Sequence, residues 1–387
     1  MKNKNLLVVL QYLEPGGIEW LVARQTKDLQ SGSLGWKPVV FVYDQGPVKP
    51  IDEVIIQNGV SLVRRQKGSG FSFAVIGNLL KLFHQEKISV VHVHHLGALI
   101  YAVFAKFLAF RKIKIVYTQH SFIHLYKYPK YRRIEKLFCF FADEITAVSE
   151  QVQREFTQFN ISRKKIHLVP NGSVFPEVKL ASEEKLFRCR RDLVRSEGWS
   201  ESVNGQIEKK WIVYLARIHR GKGQDLALDL WERMSESVRT GSVLLVIGPV
   251  MESDYFSELQ QRAQKLPDTQ RILFLPATNR AGAWMQVANV FLSCSESEGW
   301  PMAPMEALGA GVPVILSQIE GHQMYLPYSR QFELSDRKNG AALVEKELQQ
   351  DFEAQRSAQW LRTEEIRRRY SVRTMNQAYL KIYEGAP

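Results

Sequence analysis

The chain has 387 residues, 45% hydrophobic and 24% charged, a balance that excludes a disordered polypeptide, a collagen and a coiled coil. At roughly 100 to 200 residues per domain, this length predicts two domains, each large enough to bury a core of its own. The net charge of +12 is unevenly spread: residues 1–190 carry 28 basic and 15 acidic side chains, a net +13, whereas residues 191–387 carry 24 and 25, a net −1.

The opening MKNKNLLVVLQYLEPGG has a basic start, but its apolar run is too short for a signal-peptide core and lacks a small-residue cleavage site, so LLVVLQY reads as a first strand. Further strands are expected at KPVVFVYD, VSLVRR, ISVVHVHH, KIKIVYTQH, EITAVS and KIHLVPN. Helices are expected between them near residues 18–31, 71–86, 97–110, 130–142 and 149–159. The apolar stretch GALIYAVFAKFLAF, interrupted by Lys106, falls short of the roughly 18 residues needed to span a bilayer. From about Ser173 to Lys210 the sequence turns polar, with one helix and no strand, and reads as a connection between domains. The alternation then restarts with WIVYLARI, VLLVIG, RILFLP, NVFLSCS and VPVILS, and the tail from Glu345 to Tyr383 is helical and highly charged.

Strand–helix alternation throughout predicts stacked βαβ units and parallel sheets. The expected fold is α/β, with two tandem Rossmann-like, doubly wound domains and a cleft between them, since open α/β sheets bind ligands at their strand carboxyl ends. The expected boundaries are an N-terminal domain of residues 1–175, a connection of 176–208 and a C-terminal domain of 209–371, with a final helix of about 372–387 packing back on the first domain. Three widely spaced cysteines, Cys139, Cys189 and Cys294, form neither a disulfide framework nor a zinc pattern, and point to a reducing, cytoplasmic setting.

Four segments carry chemistry. In SESEGWPMAPMEALGAGVPVILS, Glu298 falls in the loop after a strand, and Pro304 suits a first helical position, placing Glu306 in the first turn of a helix. Free backbone N–H groups at a helix start bind oxyanions and carboxylates accept sugar hydroxyls, which suits a ligand with both hydroxyls and phosphates. A helix with a favourable acidic first turn accounts for the same spacing. In LARIHRGKGQDLAL, Arg217 and Lys222 bracket a glycine turn entering a helix, either as a phosphate loop without the Walker pattern or as solvated charges at a sheet edge. Near the N-terminus, Gly16 and Gly17 precede a helix, a further place where a phosphate or sugar ring can lie against backbone. His92, His94, His95 and His120 gather at strand ends, where His120 is placed to exchange a proton with a substrate or to bond a sugar hydroxyl, or else to bond backbone. The clustering favours polar pocket lining over a metal site, for no cysteine stands near and no HExxH spacing is present.

Taken together these segments resemble the nucleotide-sugar-dependent retaining glycosyltransferases of the family 4 type, which have the two-domain GT-B fold, and the resemblance covers nearly the whole chain. The paired-glutamate signature is matched by Glu298 and Glu306 in EGWPMAPMEA, followed by GAGVPVI. Gly16, Gly17 and Glu19, the TQH ending at His120, AVSE, VPNG and ARIHRGKG follow in the family's order. Two positions depart from common forms of the pattern: Pro301 stands where one version has glycine, and Ala216 where glycine usually precedes Arg217.

The resemblance implies that Arg217 and Lys222 hold the donor diphosphate, approached by the backbone at Gly16 and Gly17. Glu306 would bind the ribose, and Glu298 with Gly299, Trp300, Pro301 and Met302 the donor sugar. His120 and Glu298 would be the catalytic pair, His120 lying near the acceptor. It also implies retention of anomeric configuration and a UDP- or GDP-linked hexosyl donor used in cell-surface polysaccharide or glycolipid synthesis. No Asp-x-Asp pair falls in the predicted site, so no metal and no cofactor beyond the nucleotide-sugar co-substrate is expected.

Nine basic residues lie between Lys106 and Lys136 against the single acid Glu135, with Tyr126, Tyr128 and Tyr131 among them. Lys127, Lys130, Arg132 and Arg133 mark the densest part. Such a patch suits a lipid-linked or anionic acceptor, or the inner face of the plasma membrane, and equally an ordinary solvated face. No nucleic-acid motif is present. Two other functions fit the same sequence, a nucleotide-sugar epimerase of the same fold and a non-catalytic membrane- or anion-binding protein.

Overall fold

The computed structural model describes residues 4–13, 16–31, 34–43, 46, 50–162, 164–175 and 182–385. The chain divides into two compact units, one of Met1–Val174 with Tyr370–Pro387, the other of Phe175–Arg369.

In the first unit, strands β1 (Lys4–Leu10), β2 (Trp36–Val42), β3 (Ser61–Arg64), β4 (Val90–His94), β5 (Lys114–Gln119), β6 (Glu144–Ala147) and β7 (Ile166–Leu168) form one sheet in the order β3-β2-β1-β4-β5-β6-β7. Every pairing is parallel. Central strands such as VVHVH in β4 are buried along their whole length, as expected of a sheet covered by helices on both faces. The order reverses between β1 and β4, the place where doubly wound sheets open a crevice.

The C-terminal helix Val372–Glu384 belongs to this unit. Asn376 Nδ2 donates to Gln25 O at 3.1 Å and to Asp28 Oδ2 at 2.7 Å, and the Tyr383 ring lies 5.3 Å from that of Trp36. The chain enters this helix beside Ser173, whose N–H donates to Tyr370 O at 2.9 Å.

In the second unit, β8 (Lys210–Leu215), β9 (Ser242–Ile247), β10 (Ile272–Leu275), β11 (Val290–Ser293), β12 (Val314–Ser317) and β13 (Arg330–Phe332) form a parallel sheet in the order β10-β9-β8-β11-β12-β13. Its reversal falls between β8 and β11. Residues 176–181 of the expected connection lie outside the described residues, and the stretch that follows forms the helix Glu183–Glu197 inside this unit. Arg190 explains why it is held there. Its guanidinium is fully buried, lies 4.2 Å over the Trp211 ring, and donates to Val287 O, Ile207 O, Lys209 O and Asn289 Oδ1.

The sequence pattern misses β13, whose three residues RQF contain no apolar run, and the short helices Pro50–Gln57 and Ile123–Lys127. Among the described residues no helix is long and apolar enough to cross a membrane.

Candidate functional site

The loops after β8 and β11 lie side by side at the switch point of the second unit. After Leu215 the chain runs through Arg217 into a 3-10 turn, Arg220–Lys222, and reaches the helix Gln224–Arg233 through Gly223 at φ +68°. A Cβ at Gly223 would stand 2.1 Å from Cys294 O, so the two loops meet backbone to backbone and only glycine fits. Tyr214 ties them together: its hydroxyl donates to Lys222 O and accepts the Cys294 N–H at 2.9 Å. Burial pushes this phenol well above the usual tyrosine range, so it remains a protonated donor. Glu296 N donates to Gly221 O at 3.1 Å, a second tie.

This bracing brings Lys222 to Glu298. Nζ and Oε1 lie 2.6 Å apart, with the side chains 20% and 15% exposed. Ser295 Oγ donates to the same oxygen at 2.8 Å, and Ser317 Oγ in turn donates to Ser295 O at 2.6 Å. Behind Glu298 stands the 3-10 turn Glu320–Tyr325, so close that a Cβ at Gly321 would lie 2.3 Å from Glu298 O. The buried His322 in that turn bonds Ser317 O through Nδ1 at 2.8 Å, and burial lowers its pKa, so the ring is neutral near pH 7. Arg217 is exposed and has no carboxylate partner among the described residues, whereas Gln224 Nε2 holds its carbonyl at 2.9 Å. An unpaired guanidinium and a half-shared ammonium therefore flank one glycine turn, an arrangement able to take an anion with two phosphates.

The helix carrying Glu306 differs from the sequence expectation. It spans Met302–Gly309 with Pro301 as its N-cap, so Pro304 is the third helical residue and Glu306 the fifth, beyond the first turn. Proline is tolerated anywhere in a first turn because those N–H groups have no intrahelical acceptor, which is why Pro304 alone did not fix the start. Glu306 is 8% exposed. Its N-cap Pro301 supplies no side-chain cap, and the first N–H groups of the helix, with the backbone of Gly299 and Trp300, follow directly on Glu298 in the chain. Tyr325 anchors the start by donating to Pro301 O at 2.7 Å.

The first unit holds its own cluster at the ends of β4 and β5. His92 Nε2 lies 2.6 Å from Thr118 Oγ1 and His92 Nδ1 lies 2.7 Å from Tyr383 OH. His94 Nδ1 lies 2.9 Å from His120 Nε2, and the His120 N–H donates to Gln119 Oε1 at 3.0 Å. Gln119 is itself fixed by the fully buried Glu135, which accepts from Gln119 Nε2 at 2.6 Å and Tyr117 OH at 2.8 Å and meets His124 Nε2 at 2.7 Å. His95 lies past the strand end at φ 77°, as N-cap of the helix Leu96–Leu108. Gly16 is the N-cap and Gly17 the first residue of the helix Gly17–Gln30 after β1, with no capping side chain. Among the described residues no group of three or more His, Cys, Asp and Glu side chains is arranged to hold a metal ion. Tyr214, Ser295 and His322 escaped the sequence reading because each looks there like an ordinary strand or loop residue, and Glu135 stands out there only as the single acid of a basic stretch.

Burial lowers the pKa of His92 to about 3 and of His95 to about 4, and holds His94 and His120 well below the usual 6.5. These imidazoles are neutral near pH 7, so His120 acts there as a hydrogen-bond partner rather than a cation. Above pH 6.5 neither the folded nor the unfolded chain protonates them, and their contribution to stability is fully present. As the pH falls from 6.5 toward the folded pKa values, the unfolded chain takes up protons the folded one refuses, and stability is lost. For the buried His92 the loss between pH 7 and 5.5 comes to about 1 kcal/mol, and His94 and His120, held low by the same burial, act in the same direction. The melting temperature should therefore drop by several degrees between those pH values, and a flat profile would contradict a neutral, buried cluster.

Comparison with known proteins follows the division of the chain. Residues 15–173 match the model described as Glycosyltransferase Family 4, and residues 197–375 the model described as Glycosyl transferases group 1. The Bacillus anthracis N-acetyl-alpha-D-glucosaminyl L-malate synthase is 22% identical over 254 residues, 65% of this chain and 62% of its own length. The Salmonella typhi Vi polysaccharide biosynthesis protein VipC/TviE is 42% identical over 72 residues, 19% of this chain and 12% of its own. The matched stretches thus span less than two thirds of these curated relatives. Among solved structures, Anabaena Alr3699/HepE in complex with UDP and glucose superposes with a TM-score of 0.82 at 17% identity, over 99% of this chain and 100% of that one, a likeness of fold.

Proposed function

The chain belongs to the glycosyltransferases of the GT-B type, and from that premise we propose that it moves a hexosyl-type sugar from a UDP- or GDP-linked donor to a glycan or lipid-linked acceptor. On this reading it acts with retention of anomeric configuration, in cell-surface polysaccharide or glycolipid synthesis on the inner face of the plasma membrane. The observation that carries the reading is the Lys222–Glu298 pair at the switch point, with Arg217 unpaired beside it and a helix start following directly on Glu298 in the chain. A solved protein of the same fold holds UDP and glucose, which supports a donor of this class.

The mechanism follows from the charges. Breaking the bond between the sugar and the nucleoside diphosphate leaves extra negative charge on the phosphate oxygens. Arg217 and Lys222 supply positive charge for it without a metal ion, and electrostatic stabilisation of this kind is commonly the largest catalytic contribution. Glu298 keeps Lys222 extended toward the site and offers its second carboxylate oxygen to a sugar hydroxyl. The N–H groups of Gly299, Trp300 and Met302 bond the donor sugar, and Glu306 takes the ribose hydroxyls. On the first unit, the neutral His120, hydrogen-bonded to His94, bonds a hydroxyl of the acceptor, and the helix start at Gly16 and Gly17 is a further place where a phosphate or sugar ring can lie against backbone.

A thermal-shift screen of nucleotide sugars tests the assignment. A ligand at 100 times its Kd stabilises the folded state by about 2.7 kcal/mol, which raises the melting temperature by several degrees. One UDP- or GDP-sugar series should produce that rise. No shift with any nucleotide sugar would contradict the proposal, and conversion of a nucleotide sugar without an acceptor would show an epimerase instead.

A further inference from the structure

The first unit presents an aromatic surface that its core does not use. On the helices Leu96–Leu108 and Tyr131–Phe141, Phe104, Phe107, Leu137 and Phe140 are 41%, 60%, 55% and 70% exposed, and Phe110, just past the first helix, is 95% exposed. The two helices pack against each other, and their rings meet in two groups. The Phe104 ring lies 5.8 Å from Phe138, Phe107 lies 5.3 Å from Phe141, and Phe140 lies 5.3 Å from Phe141, while Phe71 extends the patch 5.6 Å beyond Phe104. Soluble monomers rarely leave so many adjoining phenylalanines in water unless the surface binds something.

The charges around the patch identify the occupant. Lys112, Lys127, Lys130, Arg133 and Lys136 are exposed and have no carboxylate partner among the described residues. The local acids are already engaged: Glu135 faces inward and is fully buried, and Asp143 pairs with Lys106 at 2.6 Å. Exposed aromatic groups with unopposed cations on the same helix and the segments flanking it match the boundary of an anionic bilayer, where rings sit at the acyl edge and cations at the headgroups. We propose that this face inserts into an anionic membrane through Phe107, Phe110 and Phe140, with the surrounding lysines and arginines on the headgroups. The proposal deepens the membrane-side reading given above and rests on it for biological meaning, but not on the identity of the donor.

The test is co-sedimentation of the full chain with vesicles of phosphatidylcholine containing about a third phosphatidylglycerol, at salt of about 0.05 M and about 0.5 M. Insertion predicts binding at low salt that survives in part at high salt, falling about tenfold or more in Phe110→Ser/Phe140→Ser, both of which are well exposed. Three results would overturn it: no binding to these vesicles, binding that salt abolishes and the serine variant leaves unchanged, or a dimer of the wild type that the variant loses, which would make the patch a contact between two copies. The nucleotide-sugar thermal shift should be the same in wild type and variant, so failure of the donor reading shows up separately.

Discussion

Replacement of Lys222 by alanine should lower turnover about 10²- to 10³-fold with little change in melting temperature, because in the proposed mechanism the charge it supplies is used as the nucleoside diphosphate departs. Removal of one well-placed donor to a developing anion typically costs that much. The structural cost is small by comparison. Glu298 keeps the Ser295 hydroxyl at 2.8 Å and retains access to water at 15% exposure, and an ion pair of this kind near the surface contributes about 1 kcal/mol or less. Arg217→Ala should show the same separation of activity from stability, since Arg217 is exposed and its carbonyl, not its guanidinium, is used by the fold. Steady-state rates measured beside melting curves decide this, and full activity in either variant would remove the phosphate assignment.

The second large effect is expected at Gly223, where stability and activity should fall together. An alanine there must hold a left-handed conformation, which costs about 1–2 kcal/mol, and its Cβ would stand 2.1 Å from the Cys294 carbonyl oxygen and 2.9 Å from its carbon. Backbone, not a flexible side-chain end, would have to move. A loss of about 3 kcal/mol lowers the melting temperature by roughly 6–12 °C in a unit of this size, and the displaced turn carries Lys222 with it. Gly221→Ala is the matched control. Its Cβ meets only the His219 ring, at 3.5 Å, an ordinary contact, so its melting curve should overlay that of the wild type. Equal melting temperatures for all three proteins would refute the close approach of the two loops.

Much of this architecture is legible in the amino-acid sequence because parallel sheets write a strong signal. Runs such as LLVVL and VLLVI are buried throughout, and their spacing leaves room only for crossover helices. The short β13 is silent because RQF at the sheet edge, with its arginine exposed, has no apolar pattern to show. At the site, glycine turns and the two glutamates can be found from spacing and resemblance, since a turn that meets another backbone, as Gly223 meets Cys294, needs glycine. The pairing of Lys222 with Glu298 is not readable in that way. It joins residues 76 positions apart and depends on β8 and β11 becoming neighbours across the switch point. Tyr214 is hidden for the same reason: within WIVYLARI it reads as one more apolar strand residue, and only the fold reveals its hydroxyl as the brace between two loops. Glu135 is concealed by its surroundings, a lone acid in a basic stretch that turns inward to fix Gln119 beside His120.

The central claim is that the loops after β8 and β11 hold the diphosphate of a nucleotide sugar. Calorimetric titration of UDP- and GDP-sugars into wild type, Arg217→Ala and Lys222→Ala tests it most directly. The account predicts saturable binding by the wild type for one nucleotide series, weakened about tenfold or more in each variant, the amount expected when a charged hydrogen-bonding group is lost. Binding of equal strength by all three proteins would contradict it.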